Sequence, residues 1–216
     1  MRRLGTIYSV AAIAVLAAVV VAIWLAHRAR PPVNVSETEY AVLSAWLNDT
    51  FTGQNAEHRE AKGIVKIVIA NTSQFDDHTQ VDENGQPVPW EKTAKSLQEN
   101  APGLQRTTID AFREANLRTA PFRPSFHPSF NYELLDLNRL YSIPKGGDWW
   151  GEYYKRFPGS QGVLTLSRVG LNADGTQALF FVTNSCGGLC GGGRYVVMEK
   201  REGHWTIGKE IDVWIS

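Results

Sequence analysis

The sequence predicts an α+β fold: an N-terminal transmembrane helix, then helices packed on a C-terminal four-stranded antiparallel meander. Three observations predict it. Residues 7–26 are an almost unbroken apolar run. Residues 37–50 repeat apolar side chains at helical spacing. Residues 162–216 hold four apolar runs separated by short turn signals: Asn172-Ala173-Asp174-Gly175, the glycine-rich stretch 186–193, and Arg201-Glu202-Gly203. Connections this short join antiparallel neighbours. A cystatin- or NTF2-like curved sheet is the nearest architecture by analogy.

A chain of 216 residues holds one domain with a sizeable core and something besides. The apolar run at 7–26 is long enough to cross a bilayer core of about 30 Å as a helix. A cleaved signal peptide is the alternative, with a site after Ala22; the run exceeds the usual apolar region of about 7–15 residues. Arg2 and Arg3 on one side nearly balance Arg28 and Arg30 on the other, so charge alone does not orient it. Long following domains cross regardless of charge, which places the N-terminus inside. The expected layout is an anchor over 1–30, a linker over 31–36 stiffened by Pro31-Pro32, and one extracytoplasmic α+β domain over 37–216. That location is the outer side of an inner (cytoplasmic) membrane, crossed once.

The formal net charge is zero. Removing the four arginines of residues 1–30 from 22 Lys+Arg leaves 18 against 22 Asp+Glu, a net charge of −4 for the rest. A mildly acidic domain with no basic cluster excludes nucleic acid as a natural partner.

Taken in order, Ser36-Glu37-Thr38-Glu39 is a capping box, and Tyr40, Leu43, Leu47 and Phe51 follow on one helix face beside Trp46. Residues 63–69 are β-branched and apolar on both faces, which suits a strand covered on both sides. Residues 71–89 carry acids, Asn-Gly and prolines without a period and read as loop. Two helices follow at 91–99 and 105–117, split by Pro102-Gly103. Between 121 and 130, prolines alternate with Phe122, Phe126 and Phe130, so an irregular segment is pinned to the core by its rings. Residues 132–137 suit a strand. Residues 147–157 suit a helix with Asp148 as N-cap and Pro158-Gly159 as its stop. Residues 177–183 are apolar on both faces. In the last strand Trp205, Ile207, Ile211, Val213 and Ile215 fall on one face, while Lys209 and Trp214 break the alternation, as a bulge near Gly208 or a second covering layer would.

Cys186 and Cys190, in CGGLCGGG, admit four readings. A disulfide can clamp a hairpin tip, where glycine allows the tight path. A redox pair usually has two intervening residues at a helix N-terminus, against three here. A metal site needs two more ligands, and the nearest histidine in sequence is His204. Buried free thiols are the fourth. The disulfide is adopted, and it fits an oxidising compartment.

Arg168 interrupts an apolar strand; it is either paired with an acid such as Glu199 or Asp174 or an anion-binding group in a cleft. Trp149, Trp150, Tyr153 and Tyr154 either pack on the sheet or form a stacking platform for a glycan. Asp76-Asp77-His78 is the remaining polar cluster. No catalytic residue, cofactor motif or metal-ligand spacing is recognised.

At FPGSQG (157–162), LSRVGLNADGTQALFFV (166–182), CGGLCGGG and the terminal WIS, the chain resembles a group of uncharacterised bacterial extracytoplasmic proteins. The similarity covers mainly 147–216. It implies an envelope location and carries no activity. The expected function is a membrane-anchored domain, attached through residues 7–26, that binds an envelope protein or glycan or has a structural role. The alternative is an envelope hydrolase using the Asp76-Asp77-His78 loop or a cleft around Arg168.

Overall fold

Ser36 opens the first helix, α1 (Glu37–Phe51). Its hydroxyl accepts from the Glu39 N–H at 3.2 Å while the Glu39 carboxylate accepts from the Ser36 N–H at 2.8 Å, closing the capping box. The structure is a computed structural model and describes residues 33–52, 64–75, 84, 86–144 and 146–216. In chain order α1 is followed by β1 (Lys66–Ala70), α2 (Trp90–Asn100), α3 (Arg106–Ala115), β2 (Tyr132–Leu135), α4 (Leu137–Tyr141) and α5 (Trp149–Arg156). Then come β3 (Ser160–Leu166), β4 (Gly170–Leu171), β5 (Gln177–Gly187), β6 (Cys190–Arg201) and β7 (His204–Ile215).

The expected fold class is corrected. Among the described residues the sheet is mixed and has seven strands, in the order β2-β1-β3-β5-β6-β7 with β4 beside β5. β1 lies between β2 and β3 and runs parallel to both, whereas β3, β5, β6 and β7 pair antiparallel. A four-stranded antiparallel meander is therefore not the whole sheet. Parallel pairing needs long crossovers rather than tight turns, and those crossovers carry the helices. The transmembrane helix expected over 7–26 falls outside the described residues; among those described, no helix is long and apolar enough to cross a membrane.

Strand alternation then builds three layers. Ile67 and Ile69, Leu164 and Leu166, Phe180 and Val182, and Val196 and Met198 point to α1, where they bury Tyr40, Leu43, Trp46 and Leu47. Leu179, Phe181, Tyr195 and Val197 point the other way, onto α2 and α3 through Trp90, Leu97, Ile109 and Phe112. Val68 and Val163 meet Tyr153 and Phe157 of α5. This arrangement also replaces the cystatin- or NTF2-like meander: the sheet is mixed and is packed on both faces.

Two irregularities shape the site. Gln161 sits where the β1–β3 register shifts, and its side-chain amide completes the ladder: it accepts from the Val68 N–H at 3.0 Å and donates to the Val68 carbonyl at 3.1 Å. β7 carries register shifts that leave Gly208 and Val213 as extra residues. A bulge moves the following side chains to the other face. Trp205 and Ile207 thus join the α1 side, Ile211 and Val213 join the α2–α3 side, and the single face expected for all five is corrected. The proline–phenylalanine segment packs on α1. Phe122 and Phe126 are buried against Tyr40, whose hydroxyl accepts from the Arg123 N–H at 2.6 Å.

Candidate binding site

Arg168 follows β3 at the end of the α1 face where α1 begins. Its guanidinium makes a bidentate pair with Glu39, Nε to Oε1 at 2.6 Å and Nη2 to Oε2 at 2.8 Å. The two side chains are only 11% and 4% exposed. Oε1 also accepts from the Val169 N–H at 3.2 Å, and the Arg168 backbone is held at both its N–H and its carbonyl by the Asn116 amide. Burial pushes the Glu39 carboxyl up, but the hydrogen bond from Arg168, the backbone bond from Ser36, the guanidinium charge and the Val169 N–H outweigh it and hold the carboxyl below its ordinary value. Pairing with Glu199 or Asp174 is corrected: the partner is Glu39, the same residue that closes the capping box.

The aromatic helix is set by Asp148, whose carboxylate accepts from the Gly151 N–H at 2.8 Å. Tyr153 is fully buried and donates to the Gly162 carbonyl at 2.8 Å; burial pushes its phenol up to about 12. Gly162 has φ +103°, and a Cβ there would lie 2.2 Å from the Ser185 carbonyl oxygen, so only glycine lets β3 and β5 approach this closely. Trp149 stacks on Tyr153, and Trp150 meets both rings edge-on; these two indoles are half-buried. Tyr154 donates to the Cys186 carbonyl at 2.8 Å, and burial raises its pKa. The four rings therefore support one another and tie α5 to β3 and to the cysteine hairpin.

Cys186 and Cys190 form a disulfide with Cα atoms 5.1 Å apart. Gly187 stands opposite Cys190, Cys186 falls in the register shift between Ser185 and Gly187, and Leu189 is at the tip, 91% exposed.

At this hairpin end of the sheet α1 stops at Phe51 while β5 and β6 run on. Among the described residues the part beyond α1 is a cleft of about 350 Å³ walled by Trp46, Phe51, Leu164, Val182 and Ile215, with Gly192 as bare floor. A second cavity of about 470 Å³ shares Phe51, Asn184 and Cys186 with it and reaches Cys190 and Tyr154. Among the described residues Arg194 is the one charged residue of the first cleft's lining, and Glu210 and Asp212 neutralise it at 3.1 and 3.2 Å. Glu210 also accepts from the Trp46 indole at 3.1 Å, fixing that wall. Asn184 differs from its surroundings: its Oδ1 is sealed from solvent and accepts no hydrogen bond.

Such a site can hold an apolar group. Among the described residues no three His, Cys, Asp or Glu side chains are grouped to hold a metal. Asp76, Asp77 and His78 lie outside the described residues. Of the cleft residues only Cys186 and the glycines beside it stood out in the sequence, and as a hairpin tip rather than as a binding site. One signal was present: Asn184 continues the Phe180, Val182 alternation with a polar side chain, opposite Gly192 in the next strand. Glu39 had no such signal, being 129 residues from Arg168. No family model, curated protein or solved structure matches the chain.

Proposed function

We propose that the protein is an extracytoplasmic binding domain of the cell envelope that holds an apolar group of an envelope component in the cleft between Phe51 and the disulfide. The observation that carries this reading is the cleft's make-up among the described residues: apolar walls, a bare glycine floor and a single charged residue already neutralised. Sites for small apolar groups have this composition, with a few placed polar atoms for orientation. An acid–base or nucleophilic mechanism needs titratable groups converging on a reacting atom, and among the described residues the cleft's lining offers only the paired Arg194. The disulfide supports the location, since such bonds persist in oxidising compartments. The apolar run at 7–26 supports it too, as the segment that would direct the chain out of the cytoplasm and keep it at the membrane.

Two measurements test the proposal. Protease added to intact spheroplasts digests the 33–216 domain; full protection overturns the location. Calorimetric titration of the full-length protein with 3-methylindole, ethylbenzene and blocked apolar tripeptides detects saturable binding that Gly192→Leu abolishes. A leucine there projects into the cleft, where an added Cβ meets only the Trp214 carbonyl at 3.4 Å, so the fold tolerates it. Absence of binding by every probe overturns the binding role.

A further inference from the structure

We infer that the Cys186–Cys190 disulfide is a redox latch: a dithiol opens it by attack at Cys190, and opening loosens the hairpin tip beside the cleft. The consequence for binding rests on the role proposed above; the latch itself does not.

The tip depends on that one bond. β3 last pairs with β5 at Ser185 and β7 last pairs with β6 at Gly192, with one more bond from the Ser216 N–H to the Gly191 carbonyl. Among the described residues the stretch between is therefore a two-stranded ribbon, which is marginal by itself in water. Its side chains add little. Residues 187–192 are glycines apart from Cys190 and Leu189, and Leu189 is 91% exposed. Glycine also loses the most conformational freedom on ordering, so little but the sulfur bridge opposes fraying.

The two sulfurs are not equivalent. Cys186 is fixed: its carbonyl accepts from the Tyr154 hydroxyl at 2.8 Å, and a Cβ at Gly162 would lie 2.9 Å from its own. Cys190 is exposed at the tip. Exchange follows access, so a thiolate of the dithiol attacks Cys190 Sγ and Cys186 Sγ leaves as a thiolate that takes up a proton. The second thiol then attacks the reductant's own sulfur in the mixed disulfide and releases Cys190. The protein gains two electrons and two protons, and the dithiol departs as its disulfide. Cys186 lines both cavities and Cys190 the second, so freeing Cys190 removes part of a wall while Tyr154 keeps Cys186 in place.

The test follows the full-length protein in lipid nanodiscs by hydrogen exchange and mass spectrometry, with and without dithiothreitol. The amides of 187–192 exchange at least about tenfold faster after reduction, as local opening requires, while 178–182 and 195–198 stay protected. Re-oxidation reverses the change, and the double variant Cys186→Ser, Cys190→Ser exchanges like the reduced protein in both conditions. Brief treatment with glutathione, quenched in acid, leaves the mixed disulfide on Cys190. Unchanged exchange at 187–192, loss of protection throughout the sheet, or an adduct on Cys186 overturns the latch. Titration with 3-methylindole finds an affinity about tenfold lower after reduction, because the competent state is then a minor one. Equal affinity in both states overturns control of the cleft and leaves the binding role standing. If 3-methylindole and ethylbenzene bind in neither state, the binding role falls and the exchange result decides the latch.

Discussion

At one end of the α1 face Arg168 meets Glu39, and both carboxylate oxygens of that junction are taken up; at the other end Asn184, beside a cleft, keeps a buried side-chain oxygen unmatched. The first end holds the most conspicuous polar residue of the apolar core strands, and it is closed. The second holds an ordinary asparagine and two glycines, and among the described residues it is open. A charge in a core strand attracts attention because burial is costly, yet the same cost forces such a charge into a pair and so makes it structural. A neutral amide can be left unmatched for a few kcal/mol at most, which is why it is the group a site can hold in reserve.

The largest effect expected from this contrast is at the closed end. Glu39→Ala leaves a buried guanidinium without its carboxylate and lowers stability by about 3–5 kcal/mol, read as a fall in the urea midpoint. A loss under about 1 kcal/mol, the size of a surface pair, would break the comparison. The pH dependence sharpens it. Because the folded-state pKa of Glu39 is lowered, its contribution is fully present above the ordinary glutamate value of about 4.3 and fades as pH falls through the lower folded value. Acid titration of stability should therefore be steeper in the wild type than in Glu39→Gln over that range.

Reduction of the disulfide comes next. Closing a loop of five residues is worth about 2 kcal/mol in the chain-entropy model, so the melting midpoint falls on adding a reductant and Cys186 and Cys190 become labelled only then. Tyr154→Phe removes the bond to the Cys186 carbonyl and costs about 1 kcal/mol. Asn184→Leu has the smallest effect of all: stability is unchanged or rises by up to about 1 kcal/mol, because it replaces an unmatched acceptor with an apolar group of similar size. A loss as large as that of Glu39→Ala would mean that Asn184 is structural and that the two ends do not differ in kind.

Much of this protein could be read locally. The capping box over Ser36 and Glu39, the Asp148 N-cap, the turn at 172–175 and the disulfide partners four residues apart depend on atoms close in sequence, so residue type and spacing determine them. The bulge at Gly208 was also legible, as a break in a period of two. Tertiary structure alone decided the rest. β1 pairs parallel with strands about 65 and 95 residues further on, and parallel pairing leaves no turn signal to mark it. Glu39 was fixed as the partner of Arg168 only when α1 was laid along β3. Among the described residues the cleft lies where α1 ends at Phe51 before β5 and β6 do. A helix gains 1.5 Å per residue and a strand about 3.3 Å. Where one runs out over the other is a matter of how they are docked, which neither segment encodes by itself.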